Sequence, residues 1–150
     1  MYKSTNFISA VLLVSKNANR LADFYRDVLK VPLEDEDHGG LAKHYGCEMG
    51  DLHFAIHPPE NFDNVEPGVG STRIAFEVFN MAEFQKHIEA QGVELLYPPK
   101  QAGPMLITAI QDPDGNVVEF TQLDKSWVDL LAKKRNEGNC ILKAFEQANR

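Results

Sequence analysis

Gln111-Asp112-Pro113-Asp114-Gly115-Asn116-Val117-Val118-Glu119-Phe120 is the stretch whose reading decides the fold. Its first half has the chemistry of a tight turn. Pro113 pre-sets φ, Asp112 and Asn116 can bond nearby backbone, and Gly115 can take a positive φ. Its second half alternates as a strand, with Val118 and Phe120 on one face and Val117, Glu119 and Thr121 on the other. A single carboxylate therefore stands opposite the apolar face of a β-forming run. Taken by itself, that is how a solvent-facing Glu on an edge strand looks.

Working outward, the same kinds of element recur. Before the turn, Met105 to Ile110 is a strand, Val93 to Tyr97 is another, and Pro98-Pro99 reads as the break that ends it. Met81 to Gln91 is a helix with Phe84 and Ile88 on one side and Gly92 as its C-cap. Ser71 to Phe79 is a strand in which Ile74, Phe76 and Val78 alternate with Arg73, Ala75 and Glu77. The order strand, helix, three strands also fits the first third of the chain. Phe7 to Ser15 is a strand, and a helix capped by Asn17 or Asn19 runs to about Leu29 with Leu21, Phe24, Tyr25 and Val28 at helical spacing. Leu33 to Glu36, Leu41 to Glu48 and Asp51 to His57 follow as strands. Two copies of one supersecondary unit, about sixty-three residues apart, predict two sheets sharing a core. The boundaries expected are residues 1–124 for the paired domain, with modules at about 7–58 and 71–123, and 125–150 for a helical extension. In that extension Trp127, Leu130 and Leu131, then Ile141, Leu142, Ala144 and Phe145, form an apolar stripe. Packing on the chain's own domain is its expected use, with subunit contact as the other.

Composition narrows the function classes. A formal charge of −7 over 150 residues argues against non-specific nucleic-acid or anionic-membrane binding, which need basic patches. Lys133-Lys134-Arg135 is short and reads as a solvated helix face. Cys47 and Cys140 make no CxxC pair and fit reduced thiols, and no segment has membrane-spanning length, so a cytoplasmic protein is the expectation. There is no Ser-His-acid pattern, phosphate-binding Gly-rich loop or HExxH.

Three stretches, Leu21-Ala22-Asp23-Phe24-Tyr25-Arg26-Asp27-Val28-Leu29, Arg73-Ile74-Ala75-Phe76-Glu77-Val78, and Asp112-Pro113-Asp114-Gly115-Asn116 followed by Glu119, are read together. They resemble the vicinal oxygen chelate superfamily, which holds glyoxalase I, extradiol dioxygenases, fosfomycin-resistance enzymes and bleomycin-resistance proteins. The resemblance implies an α+β fold in which two βαβββ modules form curved sheets around a cavity, here with a C-terminal helical tail. It also implies a homodimer and, in many members, a divalent metal held by one residue from the first and last strand of each module. Carried over residue by residue, those four positions fall on Ala10, Ala55, Arg73 and Glu119. Only Glu119 is a competent ligand, and the Arg73 guanidinium would repel a dication and pair with Glu119 instead.

Strand parity assigns Ala10, Leu12, Val14, His53, Ala55, His57, Arg73, Ala75, Glu77, Val117, Glu119 and Thr121 to the cavity side. The expected function is a small-molecule-binding protein without a metal cofactor, its ligand, a small anion for example, met by Arg73, Glu119, His53, His57, Glu77 and Thr121. One alternative is a lyase, isomerase or dioxygenase holding Zn, Ni, Mn or Fe on a rearranged set around Glu119. Another is an interaction module that uses the helical tail. His53 and His57 lie ~13 Å apart along one strand, too far to share an ion. His38 and His44 read as exposed or half-buried polar residues, and Cys47 as an inert thiol.

Overall fold

The alternation at 117–123 is one of eight strands in a computed structural model that describes residues 8–38, 40–63, 66–68, 73–136 and 145–146. The first repeat runs β1 (Ala10–Val14), α1 (Ala18–Asp23), β2 (Glu34–Glu36), β3 (His44–Met49) and β4 (Leu52–His57). The second runs β5 (Ile74–Glu77), α2 (Met81–Ala90), β6 (Tyr97–Ala102), β7 (Met105–Gln111) and β8 (Val117–Leu123). Each makes a four-stranded mixed sheet, ordered β1-β4-β3-β2 and β5-β8-β7-β6. In both, the first strand crosses over to lie parallel to the last. The α+β architecture and the duplication are as the sequence order predicts.

Both helices start as their sequences direct. Asn17 Oδ1 accepts the Arg20 N–H, and Asn80 Oδ1 accepts the Glu83 N–H, so each N-cap satisfies a donor the first turn leaves free. α1 widens into a π-helical turn at Phe24–Val28 and stops at Lys30, whose φ of 61° is left-handed. A non-glycine residue is strained there. Lys30→Gly is expected to stabilise the chain by about 0.5–1 kcal/mol, the relief of that strain less the extra backbone entropy of glycine. A lowered melting temperature in thermal denaturation would count against this account.

The core lies between the sheets and the helices. Leu21, Tyr25, Phe54, Ile56, Ile88, Ile110, Val118 and Phe120 are buried in one cluster that draws on both repeats. Phe54 of β4 and Phe76 of β5 meet edge to face at 5.8 Å, so the two modules share a single aromatic contact surface.

Two expectations are corrected. Pro98 and Pro99 do not end a strand. β6 runs through them, with an irregularity in its pairing between Tyr97 and Lys100. β6 is the edge of its sheet, where a residue without an N–H loses no ladder bond. The tail helix α3 (Lys125–Asn136) does not bury its stripe. Trp127, Val128, Leu130 and Leu131 stay 38–45% exposed. The helix leaves β8 at Asp124, whose carbonyl accepts the Trp127 and Val128 N–H groups of the first turn, and Arg135 reaches Asp51 of the first module at 3.4 Å. Residues 137–144, which carry most of the second tail stripe, lie outside the described residues.

Candidate functional site

Because side chains alternate, the face of each sheet opposite the aromatic core carries the polar groups. In the first sheet, register sets Ala10 beside His53, Leu12 beside Ala55, and Val14 beside His57. β3 and β2 extend the same face with Gly46 beside Ala55, Glu48 beside His53, and Glu36 beside His44. Four of the chain's five histidines gather here with Glu36 and Glu48.

Their geometry is closely specified. The Glu36 Oε2 atom lies 3.1 Å from His44 Nε2 and 3.7 Å from both His38 Nε2 and His53 Nε2. That oxygen is buried and makes no hydrogen bond. His44, 1% exposed, donates from Nδ1 to the Ala42 carbonyl at 3.0 Å. His53 Nδ1 donates to Glu48 Oε1 at 2.6 Å. His57 stacks on His44 with ring centroids 4.1 Å apart, and Phe62 meets its ring edge to face at 5.1 Å. Asn61 Oδ1 accepts the Ala42 N–H while its Nδ2 donates to the Ala42 carbonyl and to His57 Nδ1. His57 is therefore an acceptor at Nδ1. Burial, followed by the neighbouring His44, lowers its pKa and favours this neutral form.

The face of the second sheet carries a different set. Arg73, just before β5, donates from Nη1 to Glu119 Oε1 at 2.9 Å. Ala75 lies beside Glu119 in the ladder and Glu77 beside Thr121. Glu77 accepts the Thr121 hydroxyl at 2.8 Å and the Leu123 N–H at 2.7 Å, which occupies its carboxylate. Tyr97 is opposite Ala109, which is itself opposite Glu119, and Lys100 Nζ sits 4.6 Å from the centre of the Tyr97 ring. Burial first, and then the Glu119 charge, pushes the Tyr97 hydroxyl up, with Arg73 opposing. A cavity of about 420 Å³ opens beside Arg73, lined by Ile74, Phe76, Val11, Met49 and Phe54 from both modules.

The family model described as the glyoxalase/bleomycin resistance protein/dioxygenase superfamily matches residues 7–120. The chain belongs to this superfamily. None of the curated proteins compared with it matches. Among solved structures, the superfamily fold is shared with a virulence protein from Salmonella typhimurium, at 19% identity and TM-score 0.66 over 81% of this chain and 99% of that one. The antibiotic binding protein TnmS3 from Streptomyces sp. CB03234 is similar at 17% identity and TM-score 0.66, over 82% and 100%. A lactoylglutathione lyase from Agrobacterium tumefaciens is similar at 20% identity and TM-score 0.61, over 80% and 96%.

The residues at the superfamily's usual ligand positions do not fit a metal centre. Ala10 and Ala55 offer no donor, and Arg73 places a cation against the one remaining carboxylate. The six expected ligand-contacting residues divide between the sheets. Arg73, Glu119, Glu77 and Thr121 share the second, and His53 and His57 belong to the first. Among the described residues, Glu36, His38 and His44 form the group of potential metal ligands whose donor atoms lie within 4.8 Å of one another, and it includes neither Glu119 nor Glu77. His38 is exposed as expected, but the expectation for His44 is corrected: pairing of β2 with β3 buries its imidazole against the Glu36 carboxylate. Cys47 is half-buried with its thiol pushed up by burial and by Glu48, Glu36 and Glu34, which disfavours a reactive thiolate. Sequence reasoning missed Glu36, Tyr97 and Lys100. The signal for the last two was hidden by reading Pro98-Pro99 as a strand break.

Proposed function

We propose that this superfamily member binds a small organic molecule beside the second sheet, with Arg73 taking the place a metal ligand occupies elsewhere in the family. The observation that carries the reading is the Arg73–Glu119 pair at 2.9 Å. One guanidinium edge is held by the carboxylate, and the side chain remains 58% exposed, so its other N–H groups face outward. Tyr97 and Lys100 add an aromatic surface and a second cation on the same sheet. A small carboxylate, or an aromatic ligand carrying one, matches that chemistry. Glu77 and Thr121 bond each other and shape the floor, and His53 and His57 belong to the part of the site that the first sheet would contribute. Residues 1–124 act as the ligand-binding domain, with 125–150 as an extension, and the active species is a homodimer. Light scattering on the purified chain checks the last point.

Thermal-shift screening against small carboxylates tests the Arg73 role. Arg73→Ala is expected to weaken the best hit roughly 10–100-fold, the loss of one or two charge-assisted hydrogen bonds. If Arg73→Ala left every hit unchanged, the reading would be wrong. The reading that routes metal chemistry through Glu119 is weaker, because Arg73 already holds that carboxylate.

A further inference from the structure

We propose that the outer face of the first sheet is a site for one divalent transition-metal ion, held by Glu36 Oε2 and by Nε2 of His44, His38 and His53. It uses none of the superfamily's usual ligand positions; it shares His53 with the first-sheet part of the small-molecule site but depends on neither Arg73 nor Glu119. Zinc, cobalt and nickel suit a set of three imidazoles and one carboxylate.

Spacing is the first observation. Donors bound at about 2.0–2.1 Å to one ion lie roughly 3.0–3.5 Å from each other. The Nε2 atoms of His44 and His38 stand 3.1 and 3.7 Å from Glu36 Oε2, and all three donors lie within 4.8 Å of one another, so small side-chain adjustments bring them onto a common ion. His53 Nε2, 3.7 Å from the same oxygen but outside that group, joins as the fourth ligand by a larger shift of its side chain.

Tautomer is the second. A carbonyl can only accept, so the His44 Nδ1 facing Ala42 carries the proton. His53 Nδ1 faces the Glu48 carboxylate and carries a proton for the same reason. In the neutral rings, both Nε2 atoms then present lone pairs toward a carboxylate oxygen. Lone pairs facing an anion are repulsive, and a shared cation reverses the sign of that interaction. Imidazoles held from behind by a carbonyl and a carboxylate are also how metal-binding histidines are oriented and made more basic.

The third is the carboxylate itself. Glu36 Oε2 is buried without a hydrogen bond, a state that is costly unless a cation compensates it. Its position depends on Gly46, where a Cβ would come within 2.7 Å of that oxygen. Gly46 and the fully buried Ala55 beside it leave the room the carboxylate fills. His57 stacked on His44 forms a wall, while His38, with its side chain 65% exposed, leaves the site open to solvent.

The untagged 150-residue chain, stripped with chelator, is titrated with Co(II) and Zn(II) chlorides by calorimetry and by visible absorption. One ion per chain is expected, with Co(II) ligand-field bands. Saturation with Zn(II) at a hundred times Kd is expected to raise the melting temperature by roughly 5–10 °C. His53→Ala and Glu36→Gln are each expected to weaken binding at least tenfold, and Glu48→Gln about 10–100-fold through loss of the support behind His53. His53 and Glu48 are solvent-accessible, so their variants stay folded, as circular dichroism will verify. Glu119→Gln is expected to leave metal binding unchanged. The proposal is overturned if no stoichiometric binding is found, or if Glu119→Gln abolishes it while Glu36→Gln and His53→Ala do not.

Discussion

Asp112→Ala is expected to lower the unfolding free energy by about 3–5 kcal/mol, because it leaves the buried Tyr25 hydroxyl and three part-buried turn donors without an acceptor. The carboxylate is 5% exposed and organises its whole neighbourhood. Oδ1 accepts the Asp114 and Asn116 N–H groups, each at 2.9 Å, and so closes the turn that joins β7 to β8. Asn116 Nδ2 reaches both carboxylate oxygens. Oδ2 accepts the hydroxyl of Tyr25, a residue of the other module, at 3.0 Å. One side chain thus closes a local turn and ties two repeats together across the core. Tyr25→Phe removes only the donor and leaves Asp112 its remaining bonds, so about 1–2 kcal/mol is expected. In the Asp112→Ala background the same change should cost much less, since the hydroxyl is already unpaired.

A pH signature accompanies this pair. Burial first, and then the Asp112 charge, raises the Tyr25 hydroxyl well above its ordinary value of 10.0. A raised folded-state pKa stabilises fully below the unfolded value, and that contribution is lost as pH rises past it. Stability should therefore fall above about pH 10 more steeply in the native chain than in Tyr25→Phe. Urea denaturation between pH 7 and 11 measures both effects. A loss below 1 kcal/mol for Asp112→Ala at neutral pH would contradict the assigned role.

The turn and strand at 111–120 carried most of the fold in legible form because their physics is local. Turn residues and period-two alternation act within a few positions, so β4 and β8 could be read with the correct face toward the core. The crossover pairing of β1 with β4 and of β5 with β8 follows from the repeat. What could not be read depends on contacts between elements. Glu36 and His44 become neighbours only when β2 pairs with β3 through the segment between them, and alternation along either strand says nothing of that register. The prolines of β6 are acceptable because that strand is an edge, a property of the assembled sheet. The stripe on α3 is visible in sequence, but the surface it meets is not. His53 and Glu119 share a parity but lie on different sheets, and parity alone cannot separate them.

Phe54→Ala is expected to cost about 3–5 kcal/mol, the range for removing a buried aromatic ring from a packed core. Phe54 is 1% exposed and lies between Tyr25 at 5.7 Å and Phe76 at 5.8 Å. The chain of rings continues through Phe120, 6.0 Å from Phe76 and 4.2 Å from Phe84 on α2. This is a contact surface between repeats, so its loss should not melt one repeat alone. Each sheet has only four strands, and its apolar face is covered in part by the other repeat. Phe54→Ala in the first repeat and Phe120→Ala in the second are therefore expected to shift one common transition to lower temperature. Calorimetry distinguishes the cases directly. Equal calorimetric and van't Hoff enthalpies in both variants would support a shared core. Two resolved transitions, one insensitive to Phe54→Ala, would mean that each module holds itself together, and that the aromatic contact joins two units already stable alone.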